Sequence, residues 1–275
     1  MQPHTESSPD LKPVEILRAW LRGSEDSASA LCHGFIGRTG GVSTGAFASM
    51  NLSYWVGDDY HAVDANWERI RREAPELKLV ASLNQVHGNV VHAATRDTAT
   101  LRPAGDGIVT AEPGVILGIY TADCVPILMV DSERKIAGAF HAGWRGIIAD
   151  IAGAGVRAMV KLGACASAIR AAMGPSIGQC CFEVDAELGD RFGREIAGAR
   201  NHTRAGRPGK AFIDLRAVVR GQLERAGLAA ANIASVGPCT RCASDRFFSR
   251  RAAGGETTGL QISFVGFAAQ EYAAT

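Results

Sequence analysis

The chain has 275 residues, 47% of them hydrophobic and 21% charged, which is ample for a buried core in one large domain or two small ones. A formal net charge of +1 excludes a global field that would recruit nucleic acid or an anionic membrane. A small anionic substrate held by a few local arginines remains open.

Residues 1–12 read as a polar, disordered tail, and 13–275 as one domain. Neither MQPHTESSPDLKP nor the charge-interrupted VEILRAWLRG has the pattern of a secretory signal. The segment from Cys32 to Ser53, CHGFIGRTGGVSTGAFASMNLS, is rich in Gly, Ser and Thr and predicts loop with short strand. Over 58–74, Val63, Trp67, Ile70 and Ala74 fall at helical spacing. Residues 79–94 carry β-branched side chains on both sides of His87-Gly88 and predict strand, turn and strand.

Further strands are predicted in DGIVT and across 114–131, where Asp123 and Cys124 interrupt an apolar run. Asp123 and Pro126 also break the best candidate for a membrane span. Burying a carboxylate without partners is costly, so the interruption needs a reason. The period changes within 135–163: Ile136–Phe140 reads as strand, while Ile147, Ile151, Val156, Met159 and Val160 mark a helix. Residues 169–184 predict a strand, a Gly174-Pro175 turn and a helix from about Glu183. An amphipathic helix over 212–228 carries Leu215, Val218, Val219, Gln222 and Leu223 as its stripe, and 259–267 is a final strand. Interspersed helices and strands, with two hairpin-like pairs, predict an α/β (α+β) single domain with mixed β-sheets flanked by helices.

The polar residues concentrate in four short segments at strand ends: Asn84–Gly88, Ala122–Val125, Phe140–Gly146 and Gly174–Cys181. His87 reads either as a turn histidine or as a ligand, and Cys124 either as a small buried hydrophobe or as a functional thiol. His141 lies at a strand–helix junction, where α/β proteins often place functional groups. Zinc takes imidazole and thiolate ligands, but these three residues are too far apart in the chain to form a local metal motif. Seven cysteines without a secretion signal argue against a disulfide framework and place the chain in the cytoplasm. Cys239-Thr-Arg-Cys242 lacks an evident second ligand pair and reads as packing, as does Cys180-Cys181. Arg38, in GRTGGVS, and Arg145 suit an anion and a structural or surface role equally well.

Taken together, NQVHG, AGDGIVT, TADCVPILMVD, FHAGWRGI and GPSIGQCCFEV closely resemble the YfiH-like, laccase-domain family, over most of the chain from GRTGGVS to ISFVGF. Its members were once described as multicopper polyphenol oxidases. They are now described as purine nucleoside phosphorylases with adenosine deaminase and methylthioadenosine phosphorylase activities. The resemblance implies zinc ligands at His87, Cys124 and His141, with Cu2+ as the other metal to consider. It also implies a pocket contact at Arg38. Gly105 replaces the family's usual alanine but leaves Asp106 in place. The expected partners are purine nucleosides and phosphate, with no nucleic acid and no membrane; monomer and homodimer both stay open. Arg38 or Arg145 would hold phosphate, Asn84 and Asp106 would contact substrate, and Asp123 is the candidate acid/base group. The alternatives are a Cys–His hydrolase acting on an amide such as a cell-wall precursor peptide, a copper-dependent polyphenol oxidase, and a non-catalytic binding module.

Overall fold

The computed structural model describes residues 13–19 and 31–269; the predicted tail over 1–12 lies outside them. Along the chain the strands are β1 (Ile16–Leu17), β2 (Leu31–Ile36), β3 (Val80–Ala81), β4 (Val91–Ala93), β5 (Gly107–Thr110), β6 (Ile116–Thr121), β7 (Val125–Asp131) and β8 (Ile136–Ala142). They continue with β9 (Arg170–Met173), β10 (Glu183–Asp185), β11 (Thr203–Ala205), β12 (Lys210–Ile213), β13 (Ile233–Ser235) and β14 (Gln261–Phe267). The helices are α1 (Tyr60–Glu73), α2 (Trp144–Ile148), α3 (Ile151–Lys161), α4 (Ala186–Glu195) and α5 (Leu215–Arg225).

Two sheets carry the architecture, in orders β1-β2-β14-β6-β3 and β13-β9-β7-β8-β5-β4, beside a small antiparallel β10-β12-β11 sheet. The β3–β6, β4–β5 and β9–β13 pairs are parallel and the others in the two large sheets antiparallel, so both are mixed as predicted. The two-residue period of a strand explains how they stack. Along β7, Ile127 and Met129 enter a core shared with α2, α3 and α5, while Leu128 and Val130 enter a second core between the sheets. Along β6, Leu117 and Ile119 meet that second core, while Ile116 and Tyr120 pack with Val63, Trp67 and Ile70 of α1. The layers therefore run α1, sheet, sheet, helices. Strands covered on both faces have no solvent side, which is why β6, β7 and β8 read as unbroken apolar runs.

The helices start where the sequence can cap them. Asp59 accepts from His61 N at 2.9 Å to open α1, and Asp214 accepts from Ala217 N at 3.0 Å to open α5. Gln222, in the predicted apolar stripe of α5, is buried and donates to Ile147 O at 2.7 Å, tying α5 to α2. No helix among the described residues is long and apolar enough to cross a membrane.

Three local predictions change. Residues 79–94 do not form a hairpin: β3 joins the five-stranded sheet and β4 the six-stranded one, so the loop through His87 crosses between them. The helix predicted through Ile147 and Val160 is two helices, broken at Asp150, whose φ of 60° ends one run while its carboxylate caps the next. The helix expected from Glu183 begins at Ala186, because Glu183–Asp185 pairs with β12. In each case a tertiary partner overrides a local pattern.

Candidate active site

The interruption at Asp123-Cys124 is a change of sheet. Thr121 ends β6 in one sheet and Val125 opens β7 in the other. Asp123 makes the turn with φ 96°, a conformation that costs a non-glycine residue roughly 1–3 kcal/mol. Its carboxylate offsets that cost by accepting from the Thr240 hydroxyl at 2.6 Å and from Arg251 N at 2.7 Å. Both oxygens of Asp123 thus support the turn, and the residue does not line the adjoining cavity.

The turn presents Cys124 at the start of β7, beside the end of β8, where Pro126 pairs with His141. The third group arrives on the loop between the sheets. Buried Asp106, just ahead of β5, accepts from the backbone of Val86 at 3.2 Å, His87 at 2.9 Å and Gly88 at 2.6 Å, and from His141 Nδ1 at 2.7 Å. One carboxylate therefore positions both histidines. The loop is also pinned by Gln85, whose amide exchanges hydrogen bonds of 2.8 and 2.9 Å with the backbone of Tyr120. As a result His87, Cys124 and His141 bring ligand atoms within 4.8 Å of one another, with the two rings edge to face at 4.7 Å.

Glycines make this approach possible. A Cβ on Gly143 would stand 2.8 Å from His87 Cδ2 and 3.3 Å from Cys124 Sγ, and one on Gly146 would meet Gly88 O at 2.7 Å. Gly105, where the family resemblance expects alanine, leaves room for the His92 ring, which a Cβ would meet at 2.9 Å.

Charge follows geometry. Burial alone would raise the Cys124 thiol, but His141 and His87 beside it bring it down to about 6. Burial alone would lower His141, but the Cys124 thiolate and Asp106 push it up to about 9. Asp106 is held below the ordinary carboxylate range, against its burial, by its bonds from His141, Gly88 and His87. A carboxylate can only accept, so Nδ1 of His141 carries a proton and Nε2 is left for a metal. Two imidazoles and a thiolate are the donor types of a three-ligand catalytic zinc site, and they suit copper also.

Beside this group lies a cavity of about 330 Å³ lined by Trp55, Tyr120 and Leu260, by Arg102 and Arg250, and by Cys124 and both histidines. Arg102 stacks over Trp55 with its Cζ 3.1 Å from the ring centroid, and Trp55 meets Tyr120 edge-on at 5.9 Å. Thr121 lines the same cavity, but its hydroxyl is buried away from it and without a hydrogen-bond partner among the described residues.

Of the other predicted site residues, Asn84 lines the cavity. Asp106 stands behind His141, with its oxygens occupied, rather than facing a substrate. Arg38 does not line the cavity: its guanidinium donates to Ala48 O and to Ser244 O, each at 2.7 Å, and lies 4.5 Å from the Phe248 ring centroid. Arg145 is exposed and stacks on Trp144 at 4.3 Å, also outside the cavity. Trp55, Gln85, Arg102, Tyr120, Thr121 and Arg250 were not singled out by the sequence; only Gln85 and Thr121 carried a signal, through their places in NQVHG and TADCVPILMVD. Cys180 and Cys181, which read as packing in the sequence, meet Cys239 and Cys242 in space: all four sulfurs lie within 4.8 Å of one another.

The family model described as multi-copper polyphenol oxidoreductase laccase matches residues 32–268. The chain belongs to that family. It is 38% identical to a purine nucleoside phosphorylase of Streptomyces coelicolor over 247 residues, covering 88% of this chain and 98% of the relative. It is 39% identical to an adenosine deaminase from an unknown prokaryotic organism over 219 residues, covering 76% of this chain and 84% of the relative. The crystal structure of YlmD from Geobacillus stearothermophilus superimposes on this laccase-family chain with a TM-score of 0.82 at 35% identity, covering 92% and 97% of the two chains.

Proposed function

We propose that the chain is a cytoplasmic, zinc-dependent purine nucleoside enzyme. It phosphorolyses adenosine, inosine or guanosine-type nucleosides and S-methyl-5'-thioadenosine, and it deaminates adenosine to inosine. One observation carries the reading: a His87–Cys124–His141 donor group opens onto a cavity with an aromatic wall and two arginines. The names of the relatives supply the substrate class.

When bound, zinc supplies Lewis acidity and lowers the pKa of a coordinated water. The chain's residues do the rest. Trp55 and Tyr120 offer ring surface to a purine. In phosphorolysis a phosphate oxygen bonds to C1′ as the bond from C1′ to the purine breaks, and cationic groups must hold the phosphate. Arg38 and Arg145 lie elsewhere, so that role falls to Arg250 and Arg102. Arg102 already donates to Leu83 O at 2.8 Å, which leaves Arg250 as the principal anchor. Asp106 keeps the proton of His141 on Nδ1, and Asp123 supports Cys124 from behind rather than carrying a proton. Zinc is preferred to copper because, among the described residues, only one candidate metal group contains histidine, whereas a multicopper oxidase needs several such centres.

The test is metal analysis together with product chromatography on adenosine and inosine, with and without phosphate, for the chain and for His87→Ala, Cys124→Ala and His141→Ala. Base release should require phosphate, inosine formation should not, and both should disappear with the metal in each variant. Full metal content and full turnover in all three variants would refute the assignment.

A second reading has an observation of its own. Cys124, His141 and Asp106 form a thiolate–imidazolium–carboxylate relay, with the thiol at about 6 and the imidazole at about 9. That arrangement suits a Cys–His hydrolase acting on an amide, including a cell-wall precursor peptide. It would be supported by a metal-free preparation that cleaves such an amide at full rate and loses activity to a thiol alkylator.

A further inference from the structure

Behind the active site, on the far side of Asp123, four cysteines meet. We propose that Cys180, Cys181, Cys239 and Cys242 form a second metal site, a structural tetrathiolate site for zinc, which locks together the two loops that support the cavity. Its occupancy does not depend on which substrate the cavity takes.

The spacing is that of ligands around one ion. Cys242 Sγ lies 3.7 Å from Cys180 Sγ and 3.4 Å from Cys181 Sγ, and all four sulfurs fall within 4.8 Å of one another. A tetrahedral site with zinc–sulfur bonds of about 2.3 Å separates its sulfurs by about 3.8 Å, whereas a disulfide holds them about 2.05 Å apart. All four cysteines are free. Hydrophobic packing is a poor account of the cluster, because Cys180 and Cys242 are exposed and gain little from burial.

The surroundings are built for negative charge on sulfur. Gly178 N donates to Cys239 Sγ at 3.2 Å, and the backbone N–H groups of Arg241 and Cys242 point to the same sulfur. A side chain at Gly178 would crowd the group, since its Cβ would stand 3.3 Å from Cys180 Sγ. Arg241 Nη1 reaches Cys181 Sγ at 3.6 Å, and the Arg216 guanidinium stands near Cys180 and Cys239. Four thiolates around a divalent ion carry a formal charge of about −2, which these two guanidiniums offset.

The position supplies a purpose. The ion would join the 174–181 turn to the loop that starts at Cys239, already in contact through Thr240 N and Ser176 O at 3.0 Å. From that loop the Thr240 hydroxyl and Arg251 N hold Asp123, next to Cys124, while Arg250 enters the cavity. The cluster therefore anchors the segment that carries both the support of Cys124 and a cationic wall of the cavity.

The experiment counts zinc per chain in protein purified under reducing conditions. Wild type should hold two zinc ions, and Cys239→Ser/Cys242→Ser should hold one. His87→Ala/His141→Ala should also hold one, and its cobalt-substituted form should show the intense thiolate-to-cobalt charge transfer of a tetrathiolate site. That variant leaves all four cysteines intact, so the result does not depend on the serine variant folding. X-ray absorption of the zinc in wild type should report more sulfur per ion than a site with one cysteine allows. A single zinc in wild type with none in His87→Ala/His141→Ala would overturn the proposal. So would iron in place of zinc, or a disulfide within the four.

Discussion

Asp106→Asn perturbs the centre of the site with an almost isosteric change. Oδ1 of Asp106 accepts from His141 Nδ1 and His87 N, and Oδ2 accepts from Val86 N and Gly88 N. An amide has one acceptor oxygen, so in either orientation its NH2 group faces two N–H donors and two of the bonds are lost. Each hydrogen bond to a charged acceptor contributes about 1.5–3 kcal/mol, which sets the loss at about 3–6 kcal/mol before relaxation, against a total of about 5–15 kcal/mol for a typical domain. The metal site should suffer separately. If His141 reverses its tautomer to accept from the new amide NH2, its Nε2 carries the proton and can no longer bind a metal. Removing such a supporting carboxylate typically weakens metal affinity about 10–100-fold. Urea unfolding followed by circular dichroism gives the first quantity, and competition with a chromophoric chelator gives the second. A variant within about 0.5 kcal/mol of wild type, with unchanged metal affinity, would show that Asp106 does not position the two histidines.

Charge, crowding and phosphate binding supply the remaining tests. In metal-free protein, Cys124 should be alkylated by iodoacetamide with a midpoint near pH 6, read by peptide mass spectrometry, because its thiol is brought to about 6; a midpoint near the ordinary thiol value of about 8.5 would contradict the ion pair. The lowered Cys124 pKa stabilises the fold at high pH and loses its effect as pH falls through about 6, while the raised His141 pKa stabilises it at low pH and loses its effect as pH rises through about 9, so the coupled pair contributes most between those values. Gly143→Ala places a Cβ 2.8 Å from His87 Cδ2; overpacking of this kind costs about 1–3 kcal/mol, and metal content should fall more than melting temperature, whereas wild-type metal content would argue against the crowding. Arg250→Gln should raise KM for phosphate about tenfold or more, since a hydrogen bond to a charged group contributes about 1.5–3 kcal/mol, and should leave adenosine deamination unchanged; equal losses in both reactions would remove Arg250 as the phosphate anchor.

The readable parts of the fold were those where a side-chain period is imposed by one nearby layer. The stripe of Val63, Trp67 and Ile70 and the apolar runs of β6, β7 and β8 are written in consecutive residues, and they fold as they read. The segments that misled were those whose partner is distant. Val80 and Val91 both look like strand, but nothing within 79–94 says that they belong to different sheets. The candidate site divides in the same way. An arginine in a Gly-rich stretch looks alike whether it meets an anion or, as with Arg38, backbone carbonyls and an aromatic ring. Trp55 and Arg250 have no motif to mark them, because a cavity wall needs only a side chain of the right size or charge brought there from anywhere in the chain.

By itself the sequence determined the local states of most elements, the class of the fold, and the inventory of imidazoles, thiols and acids at strand ends. Through its family resemblance it also singled out His87, Cys124 and His141 as a ligand set. Only the tertiary structure decided what each group touches. The change of sheet at Asp123 and the Pro126–His141 register bring Cys124 to His141, and Asp106 draws His87 in behind them. The approach of the loop after β13 to the turn before β10 brings Cys239 and Cys242 to Cys180 and Cys181. Hydrogen bonds and metal–ligand bonds act over a few ångströms of space. Their partners are therefore set by how the layers stack, which spacing along the chain does not encode.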